Sequence, residues 1–322
     1  MPAPDEAPLT TEELRQRRAA ARVRRTRQRR LLAATGLGAV VAVVVAVLLL
    51  SSNGSNTPAT AAALSTIPTV LNAPQTPITK AHPTAPAKPG AYEHSLEVTA
   101  IRRAAKAHDY VISGLPRHKL IALTFDDGPG PTTPRIVNWL KRHDVPATFF
   151  LVGSAVNTNP DMARTEGRAG FVLGDHTETH RPLATLSASG QRAEIDDGAR
   201  SIKDVTGRYV RLLRPPDGSF NDTTLQLLRA RKLLMVLWSV DTKDYTKPGV
   251  NQIVFAALSG ARAGGIILMH DGGGDRTQTL KALPRIVHRL RLRGYKLVTV
   301  PRLLVLDPVP KNQPLAHSLA GG

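Results

Sequence analysis

The pattern of apolar and polar positions predicts alternating strands and helices between residues 119 and 306. Seven short apolar runs, each bounded by polar, glycine or proline residues, are typical of buried strands: 120–125, 147–152, 171–173, 209–213, 233–240, 266–269 and 296–300. Between them, amphipathic stretches predict helices over 134–141, 191–205, 223–231, 251–262 and 278–293. Strands that alternate with helices in this way form a parallel sheet, either doubly wound or closed into a barrel.

A second apolar pattern lies near the N-terminus. Residues 31–50 carry no charge over 20 positions, and at about 1.5 Å per residue such a helix just spans a hydrocarbon core of roughly 30 Å. Residues 1–30 hold nine arginines and four acids, a basic tail that predicts a cytoplasmic N-terminus with the rest of the chain outside the cell membrane. A cleaved signal peptide followed by secretion is the alternative, although the apolar run exceeds the usual signal-peptide length.

The segments between this helix and the first strand differ in composition. Residues 51–90 are rich in Pro, Ser, Thr and Ala and are nearly uncharged, which predicts a solvated linker. Residues 91–118 form a lead-in that begins with an amphipathic helix over 92–110. The folded domain is predicted over 119–306, followed by a C-terminal tail over 307–322.

Composition and charge restrict the functional classes. The chain has no cysteine, so it has neither disulfides nor a thiolate metal site. The formal net charge is +18, of which +5 lies in residues 1–30 and the remaining +13 in residues 51–322. Because the arginine run is short and is a topology signal, we predict no nucleic-acid partner, and the outer charge favours an anionic matrix. The sequence does not determine the oligomeric state, for which we expect a monomer.

Polar side chains follow the predicted strands at the points where the strands end. In order they are Asp126 and Asp127, His176, Arg214, Asp241 to Asp244, and His270. In a doubly wound sheet and in a barrel alike, active sites lie beyond the carboxyl ends of the strands. The sequence therefore predicts that these side chains meet in one site.

Three of these residues suggest a metal site. His176 and His180 are four residues apart and would share one face of a helical turn. With Asp127 they form a two-histidine, one-carboxylate set that leaves positions open for water and substrate. Zinc is our first choice and other divalent ions are alternatives; a pair of solvated histidines is the non-functional interpretation. Glu178 is expected to point elsewhere.

Two further residues suit acid–base chemistry. Asp126, adjacent to the candidate ligand Asp127, is placed to accept a proton from water. His270 follows a buried strand, and a carboxylate such as Asp244 would raise its pKa and keep it protonated as an acid.

Five motifs in this order and spacing resemble those of the polysaccharide deacetylases, carbohydrate esterase family 4, which carry the NodB homology domain. They are TFDDG at 124–128, HTETH at 176–180, RPPDG at 214–218, DTKDY at 241–245 and LMH at 268–270. The resemblance covers about residues 119–306. It implies an α/β fold, a distorted (β/α)7-type barrel of parallel strands, and metal-dependent removal of acetyl groups from a glycan.

The resemblance also implies roles for individual residues. Asp126 would be the base and His270 the acid, with Asp127, His176 and His180 holding the metal. Asp244 would orient His270, and Arg214 would brace the site. Residues expected to contact the substrate or the oxyanion are Pro216, Asp217, Gly218, Tyr245 and Leu268. Two of these depart from the family pattern, which commonly has Tyr in place of Asp217 and Trp in place of Tyr245.

The expected substrate follows from the predicted anchor and linker, which would hold the domain within a surrounding wall. We therefore expect N-deacetylation of peptidoglycan amino sugars. Chitooligosaccharide N-deacetylation and acetylxylan ester hydrolysis are alternatives by family analogy. A catalytically inactive module that binds wall glycan is the non-enzymatic alternative.

Overall fold

The computed structural model describes residues 89–313. The predicted basic tail, membrane helix and most of the linker therefore lie outside the described residues. Within 89–313, no helix combines the length and the apolar composition needed to cross a bilayer.

The described chain alternates strands and helices. The strands are β1 (Tyr110–Val111), β2 (Leu120–Gly128), β3 (Thr148–Leu151), β4 (Val172–Asp175), β5 (Leu212–Leu213), β6 (Leu234–Val236), β7 (Val240–Asp241), β8 (Gly265–His270) and β9 (Lys296–Val298). The helices are α1 (Pro89–Ala107), α2 (Thr133–Arg142), α3 (Gly153–Thr158), α4 (Pro160–Arg168), α5 (Ala188–Thr206), α6 (Asp222–Arg231), α7 (Val250–Gly260), α8 (Thr277–Leu292) and α9 (Val300–Leu306). Short 3-10 turns follow β4, β5 and β7.

All strand pairs in the sheet are parallel, in the order β1-β6-β5-β4-β3-β2-β8-β7. β9 pairs with the first residues of β2, and β3 pairs with its later residues. Ser113, just beyond the edge strand β1, forms an antiparallel bridge with Gly265 at the start of β8. The sheet therefore curls into a half-barrel, which agrees with the predicted parallel α/β barrel.

Each of the seven predicted runs contains a strand, with ends that differ by up to three residues, but two predicted elements were wrong and β1 was not predicted. The run 233–240 is not one strand: it breaks after Val236, where the carbonyls of Val236 and Leu237 accept hydrogen bonds from Arg214. The predicted helix over 92–110 ends at Ala107, because Tyr110 and Val111 pair with β6. Helices α3, α4 and α9 were not predicted.

Side-chain alternation along β2 explains where the site lies. Ile121, Leu123 and Phe125 pack in a cluster with the helices α2 and α8, whereas Leu120 and Ala122 belong to a second cluster on the other face. Because side chains alternate with a period of two, Thr124 and Asp126 continue the second face into the interior of the half-barrel.

Residues beyond the predicted domain end also pack against it. Asp307 is buried and accepts hydrogen bonds from the backbone and ring nitrogens of His118. The Gln313 side chain bonds to the carbonyl of Tyr110 and the N–H of Ile112 beside β1. Residues 307–313 therefore help to fix the edge of the sheet.

Candidate active site

The carboxylates of Asp126 and Asp127 approach the same point although adjacent residues of a regular strand point to opposite faces. The register between β2 and β3 shifts between Asp126 and Gly128, and Asp127 has φ of 69°. Such a bulge redirects a side chain. As a result Asp126 Oδ2 and Asp127 Oδ1 lie 3.7 Å and 3.5 Å from the Nε2 atom of His176.

His176 and His180 do converge, but the prediction that they share a helical turn was wrong. They lie in a loop after β4, and positive φ values at Thr177 (68°) and His180 (58°) fold the loop back on itself. The two rings come to 4.9 Å between centroids, and His180 Nε2 lies 3.1 Å from Asp127 Oδ1.

The donor set fits a divalent cation. His176 Nδ1 lies 2.7 Å from the carbonyl oxygen of Arg214, which can only accept, so this nitrogen carries a proton. In the tautomer that this bond selects, the Nε2 lone pair faces Asp127. Within residues 89–313, the buried Asp127 Oδ1 has no polar partner other than the two imidazole nitrogens that face it. One atom from each of Asp127, His176 and His180 lies within 4.8 Å of the other two. Three ligand atoms that face one another in this way fit a divalent cation between them.

Electrostatics favour the ionised form of Asp127. Burial alone would raise its pKa, but hydrogen bonds to His176 and His180, together with the charge of His176, lower it below its usual value. Glu178 points away as predicted: its carboxylate accepts a hydrogen bond from Ser201 at 2.9 Å and lies 3.4 Å from the Asn157 amide.

Arg214 runs through the interior of the half-barrel and is fully buried. Its Nη1 donates to Asp126 Oδ1 at 2.7 Å and to Thr124 Oγ1 at 2.8 Å. Its Nε and Nη2 donate to the carbonyls of Val236, which ends β6, and of Leu237. Its guanidinium carbon lies 4.2 Å from the ring centroid of Phe150. Burial lowers the pKa of Arg214, and Asp126 offsets part of that effect. The guanidinium thus fixes Asp126 on the inner face.

His270 ends β8 on the same face and is held by Asp244. Asp244 accepts from the backbone N–H of His270 at 2.9 Å, contacts its Nδ1 at 2.7 Å and accepts from Thr279 at 2.6 Å. Burial lowers the pKa of His270, but the bond and the charge of Asp244 outweigh it and raise the pKa to about 9. The imidazole is therefore protonated at neutral pH.

The residues predicted to contact substrate surround this centre unequally. Asp217 is exposed at the tip of the turn Pro216–Gly218 with φ of 56°. Burial lowers the pKa of His180, but the hydrogen bond and the charge of Asp127 raise it, and the charge of Asp217 adds to that rise. The Tyr245 ring lies 5.1 Å from the His270 ring and is 43% exposed. Pro216, Gly218 and Leu268 are buried. Tyr245 and Asp217 are thus the predicted contacts that a substrate can reach.

Sequence reasoning missed Arg276, which fixes the glycine-rich loop after His270. Arg276 is buried, donates to the carbonyls of Gly272 and Gly273 at 2.7 Å and 2.9 Å, and lies 3.7 Å from Asp127 Oδ2. A Cβ at Gly273 would sit 2.5 Å from that same carboxylate oxygen. The signal available in the sequence was an arginine directly after three glycines and an aspartate.

Comparisons with known proteins agree with this geometry. The sequence profile of the family described as polysaccharide deacetylase matches residues 114–236. A peptidoglycan-N-acetylglucosamine deacetylase of Bacillus cereus is 36% identical over 208 residues, which cover 63% of this chain and 97% of that protein. The chain belongs to the polysaccharide deacetylase family. It is accordingly a hydrolase of the class that acts on carbon–nitrogen bonds other than peptide bonds.

Two other relatives show how widely this family varies. A chitooligosaccharide deacetylase of Bradyrhizobium is 34% identical over 196 residues, 57% of this chain and 90% of that one. The crystal structure of a pseudoenzyme of carbohydrate esterase family 4 from Bacillus anthracis matches with a TM-score of 0.57 and 32% identity, over 61% of this chain and 68% of that one.

Proposed function

We propose that this deacetylase removes N-acetyl groups from amino sugars of peptidoglycan, using a divalent metal ion, with zinc as the first choice. One observation carries the proposal: the three candidate metal ligands lie on the same face of the half-barrel as Asp126 and His270. Buried Arg214 holds Asp126, and buried Asp244 holds His270. The Bacillus cereus relative supports peptidoglycan as the substrate.

Asp127, His176 and His180 would hold the ion. When bound, a divalent cation supplies Lewis acidity: it lowers the pKa of water and polarises a carbonyl group. The Arg214 carbonyl fixes the His176 tautomer whose Nε2 would bind the ion, and the Asp127 carboxylate would offset part of the ion's charge.

Asp126 is the proposed general base. Arg214 occupies its Oδ1, which leaves Oδ2 on the side that faces His176 Nε2. This oxygen is placed to take the proton from the water that attacks the acetyl carbon. Because Arg214 and Thr124 hold the carboxylate, little reorganisation is needed during the reaction.

His270 is the proposed general acid. Asp244 engages Nδ1, so Nε2 is the nitrogen left to protonate the departing amine. A pKa of about 9 keeps the imidazole charged at neutral pH, as this role requires.

A backbone donor for the oxyanion is proposed at Asp217. In the turn 215–219 the N–H groups of Gly218 and Ser219 donate to the carbonyls of Pro215 and Pro216. Proline has no N–H, so the Asp217 N–H is the donor not used within this turn. The exposed Asp217 carboxylate and the Tyr245 ring would border the sugar, and both departures from the family pattern act on substrate choice.

Acetate release from a panel of substrates tests the proposal. We expect purified protein to release acetate from peptidoglycan, with chelator abolishing release and zinc restoring it. The Bradyrhizobium relative favours chitooligosaccharides as the second candidate, and acetylated xylan, tested alongside, distinguishes ester from amide hydrolysis. Binding of wall glycan without acetate release would instead identify an inactive binding module.

The location of the reaction is also part of the proposal. A single N-terminal helix over 31–50 would anchor the chain in the cell membrane, and the linker would extend the deacetylase domain, as a monomer, into the external wall. Cleavage after the helix, which releases a secreted enzyme, is the alternative. A protease-accessibility assay on intact cells distinguishes an external domain from a cytoplasmic one.

A further inference from the structure

The surface formed by α7 and α8 is strongly basic. Five exposed cations lie on α8 or directly after it: Lys281, Arg285, Arg289, Arg291 and Arg293. No acid occurs between Asp275 and Asp307. α7 has neither acid nor base. Such a one-sided charge distribution attracts an anionic partner.

Three cations of α8, Lys281, Arg285 and Arg289, lie on one face, whereas Arg291 points aside and donates to the carbonyls of His143 and Asp144. The apolar face of α8, which includes Leu283, Ile286 and Leu290, is buried in the core. The exposed positions recur at helical spacing: Lys281, Arg285, His288, Arg289 and Leu292. We call the exposed residues Phe255, Arg285, His288, Arg289, Leu292 and Arg293 the α7–α8 surface.

This surface also exposes apolar groups. A groove of about 540 Å³ between the helices is lined by Phe255 together with Arg285, His288, Arg289 and Arg293. Phe255 is 68% exposed, and Leu292, on the same face of α8, is 66% exposed. Large apolar side chains at such exposure within a basic surface are typical of proteins that lie against a membrane interface.

The orientation of α8 keeps this surface away from the candidate active site. The helix begins seven residues after His270, at the edge of the sheet that carries the site. At about 1.5 Å per residue, Arg285 to Leu292 lie roughly 12 to 22 Å further along its axis. A partner bound there leaves the site open to substrate.

We propose that the α7–α8 surface binds the anionic headgroup layer of a phospholipid membrane, with Phe255 and Leu292 inserted among the headgroups and the cations paired with lipid phosphates. A soluble polyanion would satisfy the charges but would leave these two apolar side chains in water, whereas a bilayer interface buries them. The binding is a property of the folded domain and does not depend on the predicted membrane helix.

Vesicle co-sedimentation of residues 89–322 tests this. The Bacillus cereus relative is matched over 97% of its length by 208 residues of this chain. That relative therefore consists almost entirely of the matching domain, which supports testing the domain of this chain without its N-terminal segments. We expect binding to vesicles of mixed phosphatidylcholine and phosphatidylglycerol, weak binding to phosphatidylcholine alone, and loss of binding at high salt.

Two pairs of matched variants identify the surface. Arg285→Gln with Arg289→Gln is expected to weaken binding about 10- to 30-fold, whereas the same loss of two charges on α1, Arg102→Gln with Lys106→Gln, has little effect. Phe255→Ser with Leu292→Ser is expected to weaken binding about tenfold with no change in charge, whereas Tyr209→Ser, at a 74% exposed aromatic elsewhere, does not.

Because every substituted side chain is exposed, we expect each variant to fold normally. Thermal unfolding of each variant checks this. Equal binding to both vesicle types, or no binding, would overturn the proposal. Binding that depends on the arginines but not on Phe255 and Leu292 would also overturn it and would identify a surface for soluble polyanions instead.

Discussion

Asp126 and His270 are direct partners in the parallel register of β2 and β8. Both side chains lie on the inner face, and the next backbone hydrogen bond, from Asp271 N to Asp126 O at 3.1 Å, continues the pairing. The candidate base and the candidate acid are therefore placed by two neighbouring strands, and the rigid sheet fixes their separation.

The charge on Asp244 sets the working range of His270. Because the acid must be protonated, activity is present below the pKa of His270 and is lost as the pH rises through it. Asp244→Asn removes the anion that outweighs burial, so the pKa falls and the alkaline limb of the kcat profile moves to lower pH. The pH dependence of kcat in both proteins measures this.

Asp275→Asn is the matched control, since this aspartate lies five residues beyond His270, is exposed and bonds to Thr277. Its alkaline limb is expected to coincide with that of the unaltered protein. If Asp244→Asn left the limb in place, Asp244 would not be the group that keeps His270 charged.

Measurements of zinc affinity test which of His176, Glu178 and His180, in the loop after β4, bind the metal. His176→Ala or His180→Ala removes one of three protein donors and is expected to weaken zinc binding at least 100-fold by calorimetry on the metal-free protein. Glu178→Gln is expected to leave the affinity unchanged, because Glu178 bonds to Ser201 instead. A metal loss in the Glu178 variant equal to that of the histidine variants would refute the assigned donor set.

The buried guanidinium of Arg214 is not replaceable by an ammonium group. Arg214→Lys cannot reach Asp126, Thr124 and the two carbonyls together, so buried polar atoms lose partners and unfolding free energy falls by about 3 kcal/mol. Denaturant titration measures this. Arg229→Lys, at an exposed pair with Asp109, is expected to cost less than about 1 kcal/mol; equal costs would contradict the bracing role.

Gly198 allows α5 to approach the histidine loop. A Cβ there would sit 2.5 Å from Asp175 Oδ1 and 2.7 Å from the carbonyl carbon of Thr177. Gly198→Ala is therefore expected to displace the loop, to lower the free energy of unfolding by about 1–3 kcal/mol and to weaken metal binding.

Gly190→Ala, on the same helix, is the control. A Cβ there would make only contacts of 3.4 Å, so the substitution is expected to be neutral or to stabilise the protein by about 0.5–1 kcal/mol. Tight metal binding by Gly198→Ala would show that the loop does not depend on this contact.

The sequence predicted the strands and the clustering of the polar residues because both follow from local patterns. Apolar runs indicate buried strands, and parallel strands end at the same edge of a sheet. Asp126, His176, Arg214 and His270 each lie at or near the end of such a strand, so the sequence placed them close together. The helix predicted for His176 and His180 failed because their spacing suits a helix, while the loop is shaped by positive φ values that ordinary residues do not signal.

Long-range partners could not be read from the sequence. The contact of Arg276 with Asp127 joins residues 149 positions apart, and the hydrogen bond of Thr279 to Asp244 joins two different elements. The break between β6 and β7 likewise depends on Arg214, whose donors draw the carbonyls of that strand inward. Such contacts depend on how the elements pack, which periodicity does not encode.

Chelator-dependent acetate release from peptidoglycan tests the central claim most directly. We predict that residues 89–322 loaded with zinc release acetate, that a chelator stops release, that zinc restores it, and that Asp126→Asn and His270→Gln each reduce the rate by about 100-fold or more while remaining folded. Undiminished release in the presence of chelator, or full activity in either variant, would contradict the account.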